Sequence, residues 1–285
     1  TQEYFENYMY DLLSQYSNEY QNLVLMGGCA LNCVFNEKLR RKKVYSNIFI
    51  PPWPNDEGIS LGACIAHYYK KNNSIPQFKN PLDPFKGKDY QYSEVEIKSL
   101  FKAYKIEKLD TQKLAKIFKD NVIAWYEGSS ECGPRALGHR SIYANVETPG
   151  IKAYLNNHIK FRENFRPYGC SILEEEQTTY FEEAETLYSP YMSFAPIVKE
   201  QYREKFKEIL HKDNTIRIQT VDNVFPSLKS FLKDVKNEIG HSMIIHTSMN
   251  INKMPIVESL NDLSRFYEQS KIQYLVINDY LISKV

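Results

Sequence analysis

A proline-rich stretch between residues 72 and 88, NNSIPQFKNPLDPFKGK, constrains the fold of this 285-residue chain more than any other feature. Its three prolines interrupt any helix or strand, because proline lacks the backbone N–H donor that both elements use. A chain of this length has room for about two domains. We therefore predict a first domain over residues 1–75, a linker over residues 76–90 and a second domain over residues 91–285.

The first domain alternates short apolar runs with helical patterns. The run NLVLM at 22–26 predicts a strand that ends at two glycines, and a second strand is predicted at 47–50, after a helix at 30–42. The segment GISLGACIAHYY, at 58–69, predicts a helix that is apolar on most sides and therefore buried. This alternation is typical of an α/β fold, but two strands make too small a sheet to be stable alone.

The second domain continues the α/β pattern over a longer stretch. Apolar residues at helical spacing predict helices near 97–104, 114–118 and 228–239. Short apolar runs predict strands at 105–109, 122–126, 243–247 and 274–278. We therefore expect an α/β domain with a twisted open sheet.

Composition and charge exclude several classes of protein. A hydrophobic fraction of 42% and a charged fraction of 25% are those of a globular protein, which excludes disorder and fibrous repeats. The 36 basic and 35 acidic side chains leave a net charge of +1, so nucleic acid is not an expected partner and small molecules are favoured. Five cysteines without a C-x-x-C pair indicate reduced thiols in a cytoplasm, and with no long apolar run we expect no membrane partner.

Polar motifs follow the apolar strands, where open α/β sheets place their ligands. The strand at 122–126 runs into EGSSECGPRALGHRS, which carries Arg135, His139 and Arg140 among glycines. Such a loop can bring cations and bare backbone N–H groups to an anion. The alternative is a rigid turn with solvated arginines.

A second cationic motif is NNHIKFRENFRP, at 156–167. We expect the helix before it to fray at its two asparagines, so that Lys160 and Arg162 lie in extended chain and share a face. Two like charges side by side favour an anion between them. For this motif alone, a charged sheet edge with Phe161 and Phe165 in the core is the favoured alternative.

The strand at 243–247 ends in Ser248 and Asn250, which also project the same way and can hydrogen-bond a phosphate or a carbonyl. Taken singly, this motif is more typical of an ordinary turn. Arg217, in DNTIRIQTV, adds another cation on a segment of alternating polarity. Together, the three motifs point to an anion site.

The first domain carries weaker signals. Gly27 and Gly28, followed by Asn32, would let the backbone approach a nucleotide at a helix N-terminus. Asp56 is either a metal ligand or the N-cap of the next helix. Cys29 and Cys33 share a helix face and are expected in the core or lining a site, not as metal ligands.

The order of the segments GGCALN, PPWPNDEGISLGA, GPRALGHRS, IKFRENFRP, DNTIRIQTV and TSMN resembles the O-carbamoyltransferase family of NodU, CmcH and TobZ over nearly the whole chain. The resemblance implies the closing part of an actin-like, sugar-kinase-type (RNase H-like) domain followed by a YrdC-like domain. It implies that the YrdC-like domain makes carbamoyl-adenylate and pyrophosphate from carbamoyl phosphate and ATP with Mg. The other domain, with iron, would transfer the carbamoyl group to a hydroxyl of a sugar, antibiotic or other small molecule.

The resemblance also assigns site residues. It implies that the catalytic groups are Lys160 and Arg162, as K-x-R, and Ser248 and Asn250, as S-x-N. Carbamoyl phosphate and ATP would be bound by Arg135, His139, Arg140 and Arg217, with Gly27, Gly28 and Asn32 in the nucleotide loop and Asp56 as a metal ligand.

The sequence departs from the family pattern in four places. Ser129-Ser130 stands where the family usually has Arg or Lys, His246 where it has Asn, and Gly169-Cys170 where it has Ala-Pro. The family's metal-binding H-x-x-x-H is absent from the sequence. We therefore expect the C-terminal part of a longer enzyme, or one component of a split enzyme that needs the N-terminal half or a companion subunit.

Three other functions remain open at the sequence level. The same adenylate chemistry serves hydrogenase maturation, as in HypF, and a threonylcarbamoyl step serves tRNA modification. The lack of zinc-finger cysteines argues against the first, and GPRALGHRS and DNTIRIQTV resemble the small-molecule family better than the tRNA one. The third is a nucleotide-binding module without activity.

Overall fold

Two sheets of very different size organise the chain. A computed structural model describes residues 1–77 and 83–284, so the middle of the predicted linker, at 78–82, lies outside the described residues. The smaller sheet has two strands and the larger has eight. The predicted α/β class is confirmed, while the finer likeness to RNase H-like and YrdC-like folds stays a prediction.

The first part of the chain builds the small sheet and three helices. Its elements in chain order are α1 (Gln2–Ser14), β1 (Asn22–Val24), α2 (Cys33–Arg41), β2 (Asn47–Phe49) and α3 (Ile59–Asn72). β1 and β2 are parallel, with Leu23 opposite Ile48. Both predicted strands and the helix between them are confirmed, although the helix begins at Cys33, after a short 3-10 turn at Gly28–Leu31.

The prediction that the helix after Gly58 is buried is wrong. α3 forms as predicted, but none of its residues is buried, and Ile59 is 66% exposed. Among the described elements, the main neighbour of α3 is the 3-10 turn that leads into it, Asp56–Gly58. An apolar helix therefore lies uncovered on this side of the chain.

The second part of the chain forms the large mixed sheet. Its strands in chain order are β3 (Lys105–Lys108), β4 (Ile123–Tyr126), β5 (Arg140–Asn145), β6 (Gly169–Leu173), β7 (Ile218–Val221), β8 (Ile244–Ser248), β9 (Tyr274–Ile277) and β10 (Tyr280–Ser283). Their order across the sheet is β3-β10-β9-β4-β5-β8-β6-β7. Among the described strands of this large sheet, β4–β9 and β6–β7 are the parallel pairs. The four predicted strands are confirmed to within one residue.

Helices cover both faces of this sheet. They are α4 (Glu94–Leu100), α5 (Thr111–Phe118), α6 (Ile151–Tyr154), α7 (Gln177–Tyr180), α8 (Pro226–Ile239) and α9 (Leu260–Gln269), and α6 continues as a π-helical segment, Leu155–Lys160. In β4, Trp125 faces the side of α5 and α8, whereas Tyr126 faces the side of α4 and α9. This alternation is the period-two pattern of a strand buried on both faces.

The two parts of the chain pack against each other through α2. The Asn36 amide nitrogen donates to the Ser193 carbonyl at 2.9 Å, and Arg40 Nη1 donates to the Glu183 carbonyl at 2.8 Å. Past the undescribed residues, Phe85 stacks on His139. The end of the predicted linker thus lies against the second domain, and the boundary itself stays a prediction. In the part of the chain that the structure describes, no helix is long and apolar enough to cross a bilayer.

Candidate active site

A cavity of about 140 Å³ lies at one edge of the large sheet, where β8 ends and where β5, β6 and β7 begin. Four separate segments supply its charged and polar groups, so the site exists only in the folded chain. The residues that line it are Pro134, Arg135, Ala136, Arg162, Pro167, Tyr168, Gly169, Met192, Arg217, His246, Thr247 and Ser248.

Three arginines give this cavity an unbalanced positive charge. Arg135, Arg162 and Arg217 all line it, and none of the described lining residues is acidic. The Nε of Arg217 is buried without a hydrogen-bond partner in the described part of the chain. Burial, with the nearby Arg217 charge, lowers the pKa of Arg135 to about 10. Cations crowded in a partly dry cavity favour an anion that pairs with several of them at once.

The loop that presents Arg135 is held by a carboxylate of the protein itself. Glu131 Oε1 accepts hydrogen bonds from four successive backbone N–H groups, those of residues 137–140, at 2.8–3.3 Å. These N–H groups are therefore not free to bind a ligand, contrary to our expectation from the glycine-rich sequence. Arg135 is left as the group through which this loop reaches the cavity.

The structure does not bring Arg140 to the cavity. Its side chain is fully buried, with Nη1 donating to the Glu127 carbonyl at 2.6 Å and Nη2 to the Gly128 carbonyl at 2.8 Å. The guanidinium also lies 3.7 Å from the centre of the Tyr126 ring. Arg140 thus joins the end of β4 to the start of β5. This position is structural, whereas the sequence predicts that Arg140 binds the substrate.

His139 is also outside the arginine-lined cavity. Its ring stacks on Phe85 with 3.4 Å between ring centres, and its Nδ1 lies 2.7 Å from the Ser129 carbonyl. It lines a separate cavity of about 260 Å³ with Phe225 and Ser227.

The two predicted catalytic pairs come together. Lys160 Nζ donates to the Ser248 carbonyl at 2.7 Å, to Ser248 Oγ at 3.2 Å and to the Asn250 carbonyl at 3.0 Å, and it also contacts Asn250 Oδ1. Lys160 is only 5% exposed. Burial, with repulsion from Arg162, lowers its pKa to about 7. Ser248 lines the cavity, and Lys160 supports it from behind.

The route by which Lys160 reaches this position differs from the prediction. The helix does not fray at Asn156 but continues as a π-helical turn to Lys160, and Phe161 then adopts a left-handed conformation with φ of 47°. The alternative of a sheet edge is wrong as well, because no strand forms here and Phe165 is 79% exposed. The helical end, not an extended chain, turns Lys160 inward.

Arg217, which directly precedes β7, lies close to Gly169, the first residue of β6. A Cβ atom added at Gly169 would lie 3.2 Å from both Nε and Nη2 of Arg217. Any side chain there would force the guanidinium to move. Gly169 thus makes the room that Arg217 occupies beside β6.

His246 lines the cavity as a neutral group. Gln219 Nε2 donates to the Leu137 carbonyl at 2.9 Å, so its Oε1 accepts from Ser171 Oγ at 2.8 Å. Ser171 Oγ then accepts from His246 Nδ1 at 2.6 Å, which leaves Nε2 as the acceptor for Ser141 Oγ at 2.7 Å. Burial lowers the pKa of His246 to about 3. The site charge therefore comes from arginine and lysine alone.

None of the predicted site residues of the first domain lines this cavity. Gly27 has φ of 89° and donates its N–H to the Pro54 carbonyl at 2.6 Å. Gly28 begins the 3-10 turn after it. Asn32 is the N-cap of α2, with its side chain accepting from the Phe35 N–H at 3.1 Å, so its oxygen already has a backbone partner.

The two cysteines of this region differ. Cys29 is exposed, so its predicted place in the core is wrong, and it does not line the arginine cavity. Cys33 is half-buried, and burial raises the pKa of its thiol against the opposing charges of Arg217 and Arg135. The start of α2 therefore lies near the arginines.

The described residues do not assemble an iron site. Asp56 is exposed at the start of a 3-10 turn, and its neighbour Asn55 occupies the N-cap position. No three His, Cys, Asp or Glu side chains come together to hold a metal within residues 1–77 and 83–284. We accordingly derive no chemical step through iron.

Sequence reasoning missed four residues that shape the cavity: Glu131, Asn156, Tyr168 and Gly169. Glu131 carries one usable signal, because an acidic residue just before a glycine-rich loop can fill the loop's own anion-binding N–H groups. The contacts of the other three depend on the packed fold.

Two family models match the chain. The model described as "Carbamoyltransferase C-terminus" matches residues 114–284, and the one described as "Carbamoyltransferase N-terminus" matches residues 2–65. The chain therefore belongs to the carbamoyltransferase family, which confirms the resemblance drawn from its motifs.

Individual relatives agree with this assignment. The chain is 32% identical to nodulation protein NolNO of Sinorhizobium fredii over 99% of its own length and 43% of that protein. It is 32% identical to nodulation protein NolO of Bradyrhizobium diazoefficiens over 92% of its length and 49% of that protein. An uncharacterised protein of Methanocaldococcus jannaschii is 31% identical, over 98% of this chain and 55% of that protein. The chain thus spans about half the length of these curated relatives.

Proposed function

We propose that this chain forms carbamoyl-adenylate and pyrophosphate from carbamoyl phosphate and ATP in the arginine-lined cavity. The observation that carries the proposal is the convergence of Arg135, Arg162 and Arg217 on one small cavity whose described lining contains no acidic residue. Lys160 of the K-x-R motif is joined by hydrogen bonds to Ser248 and Asn250 of the S-x-N motif, and Arg162 lines the same cavity as Ser248.

The cavity groups would serve the reaction by position and charge. Transfer of the phosphoryl group of carbamoyl phosphate to water leaves carbamate, whose oxygen attacks the α-phosphorus of ATP. A new O–P bond forms while the bond to the β-phosphate oxygen breaks, and pyrophosphate leaves. The arginines would offset the repulsion between the phosphates and stabilise the charge on the leaving group. The Ser248 hydroxyl donates to Asn250 Oδ1 at 2.8 Å in the free chain and would turn to donate to a phosphate oxygen, while Lys160 Nζ continues to donate to Asn250 Oδ1. Mg would enter with ATP.

The second half of the proposal is transfer. The oxygen of a hydroxylated small molecule attacks the carbamoyl carbon of the adenylate, the carbamoyl group is transferred, and AMP leaves. Two relatives carry the name nodulation protein, but the chain covers less than half of each. The chemical class of the acceptor is therefore proposed only as a hydroxylated compound such as a sugar or antibiotic.

We further propose that transfer needs a protein part matching the unmatched half of the relatives, in the same polypeptide or as a companion subunit. The uncovered apolar helix α3 supports this partner, because Ile59 and Tyr69 are largely exposed. Val24, in β1, is also 59% exposed. Iron, if the whole enzyme uses it, would have to take most of its ligands from that part and would have Asp56 available here.

Five unpaired cysteines support a cytoplasmic location.

The experiment is to measure pyrophosphate release from ATP with and without carbamoyl phosphate. We expect release that depends on carbamoyl phosphate in the wild-type chain and a loss of about 10²-fold or more in Ser248→Ala and Arg217→Gln. Arg203→Gln is the control and should retain the wild-type rate, because Arg203 is a half-buried arginine that pairs with Glu182 and does not line the cavity. No release at high protein concentration, with a folded chain that still binds ATP, would favour an inactive nucleotide-binding module instead.

A further inference from the structure

Asn156 is a buried amide that contacts two cavity residues at once. It is fully buried in the π-helical segment, and it does not line the cavity itself. Its Oδ1 accepts a hydrogen bond from Arg162 Nε at 2.8 Å and another from the Tyr168 hydroxyl at 2.6 Å. Both partners line the cavity.

The backbone of Asn156 reinforces these side-chain contacts. Its carbonyl accepts from the Phe161 N–H and from the Arg162 N–H, the latter at 3.0 Å, which closes the π-helical end. Arg162 is thus bound to the same residue through its main chain and its side chain. A long arginine side chain loses much rotational freedom in such an arrangement before any ligand arrives.

Tyr168 completes the support of the guanidinium. The Arg162 guanidinium lies over the Tyr168 ring, 4.5 Å from the ring centre. The ring therefore limits the orientation of the guanidinium, and Asn156 fixes the position of its Nε. Burial raises the pKa of Tyr168 to about 12, which keeps the hydroxyl protonated as a donor to Asn156. The guanidinium Nη atoms remain for the cavity, except for a long contact of Nη2 with the Pro167 carbonyl at 3.4 Å.

A further detail separates this role from ordinary core packing. The Asn156 Nδ2 is buried without a hydrogen-bond partner among the described residues, which is unfavourable for folding. Only the oxygen of this amide is used, and both of its hydrogen bonds go to cavity residues. We infer that Asn156 is a positioning residue that pre-orients Arg162 for the polyanionic substrate, a role that rests on the proposed function of the cavity.

The test is a double-mutant cycle on carbamoyl phosphate and pyrophosphate binding, measured by titration calorimetry with the full chain. Asn156→Ala should weaken binding by about tenfold, a large part of the effect of Arg162→Ala. In the Arg162→Ala background, Asn156→Ala should have no further effect, because Asn156 acts only through Arg162. The inference would be overturned if Asn156→Ala weakened binding equally in the wild-type and Arg162→Ala backgrounds. It would also be overturned if Asn156→Ala bound both ligands as tightly as the wild type does.

Asn145→Ala is the matched control. Asn145 is also a buried amide, donating to the Lys119 carbonyl at 3.0 Å and accepting from the Glu147 N–H at 3.0 Å, but it does not line the arginine cavity. It should lower the unfolding temperature without changing binding. If Asn156→Ala does not fold, two milder variants replace it. Asn156→Asp keeps an oxygen acceptor for Arg162 Nε, and Tyr168→Phe removes the hydroxyl that donates to Asn156 Oδ1. Tyr168→Phe should then weaken binding less than Arg162→Ala, and equal binding by Tyr168→Phe and wild type would count against the inference.

A second measurement does not depend on the proposed function. In an NMR spectrum of the free protein, the Arg162 Nε–H should give a protected signal that is retained in Asn145→Ala and lost in Asn156→Ala. If the signal is present in the wild type and lost in Asn156→Ala, but the wild-type chain binds no ligand, the proposed function is contradicted while the contact between Asn156 and Arg162 is supported. Absence of the signal in the wild type would contradict the inference itself.

Discussion

Lys160 and Ser248 lie 88 positions apart in the sequence and are joined by two hydrogen bonds, from Nζ to the Ser248 carbonyl at 2.7 Å and to Ser248 Oγ at 3.2 Å. The lysine thereby holds both the backbone and the hydroxyl of a residue that lines the arginine cavity. A buried ammonium is costly unless its donors are satisfied, and here oxygen atoms of Ser248 and Asn250 satisfy them. This contact links the end of the π-helix to the end of β8.

Lys160→Ala should therefore damage the site beyond its effect on stability. We expect the rate of pyrophosphate release to fall by about 10²-fold or more, because Ser248 loses its support and the cavity loses a nearby cation. Lys284→Ala is the control, since Lys284 Nζ also donates to two carbonyls, those of Tyr267 and Ser270, at 2.6 Å each. Both variants should lose about 1–3 kcal/mol of stability in urea unfolding. A similar rate in the two variants would argue against a role for Lys160 in the site.

Ligand binding should be linked to proton uptake near pH 8. The pKa of Lys160 is lowered to about 7 by burial, so the side chain is mostly neutral at that pH. A polyanion in the cavity favours the charged form and raises this pKa, so binding takes up as much as about one proton. Calorimetric titration with pyrophosphate in buffers of different ionisation enthalpy measures the net number of protons taken up. Pyrophosphate itself carries a proton at this pH that the arginines favour displacing, so the uptake by Lys160 is the difference between the wild type and Lys160→Met. The wild type should take up more protons than Lys160→Met, and equal numbers in the two would contradict the prediction.

Arg140→Met tests the structural position of that arginine. The substitution leaves the carbonyls of Glu127 and Gly128 without their partners, and we expect a loss of about 2–4 kcal/mol in the free energy of unfolding. Arg203→Met is the control: Arg203 is half-buried, pairs with Glu182 and donates to one carbonyl, that of Val198 at 3.1 Å, and its loss should cost about 0.5–1.5 kcal/mol. Any folded fraction of Arg140→Met should bind pyrophosphate nearly as well as the wild type. Strong loss of binding with unchanged stability would restore the sequence-based assignment of Arg140 to the substrate site.

Gly169→Ala should affect binding more than folding. Its added Cβ would lie 3.2 Å from two guanidinium nitrogens of Arg217 and from Met192 Sδ, so the arginine has to shift. We expect carbamoyl phosphate to bind roughly tenfold more weakly, which corresponds to about 1.4 kcal/mol. Gly62→Ala in α3, where an added Cβ meets nothing within 4 Å, is the matched control and should leave binding unchanged. Unchanged binding in Gly169→Ala would mean that Arg217 is free to adjust.

Local patterns identified the elements and motifs that depend on neighbours in sequence. The apolar runs at 122–126 and 274–278 correspond to β4 and β9, whose apolar side chains pack on both faces of one sheet. Lys160, Arg162, Arg217 and Ser248 were selected from short motifs, and the fold does bring them together. The family resemblance predicts that these residues share one site, whereas no single motif predicts it.

What local patterns could not reveal depends on distant contacts. Arg135 and Arg140 look equivalent in GPRALGHRS, yet the carbonyls at the end of β4 take Arg140 into the interior. The apolar pattern of α3 implied burial, but its covering layer is not among the described residues. Asn156 stands in the sequence as an ordinary helix-ending asparagine, and only the position of Tyr168 and Arg162 around it reveals its contacts.

The most direct test of the central claim is exchange of labelled pyrophosphate into ATP, because reversible formation of carbamoyl-adenylate is what the arginine cavity is proposed to catalyse. We predict exchange that requires carbamoyl phosphate, is lost in Ser248→Ala and Arg217→Gln, and persists in Arg203→Gln. Exchange that proceeds equally well in the cavity variants, or its complete absence in the folded wild-type chain with both substrates and Mg present, would contradict adenylate formation in this cavity.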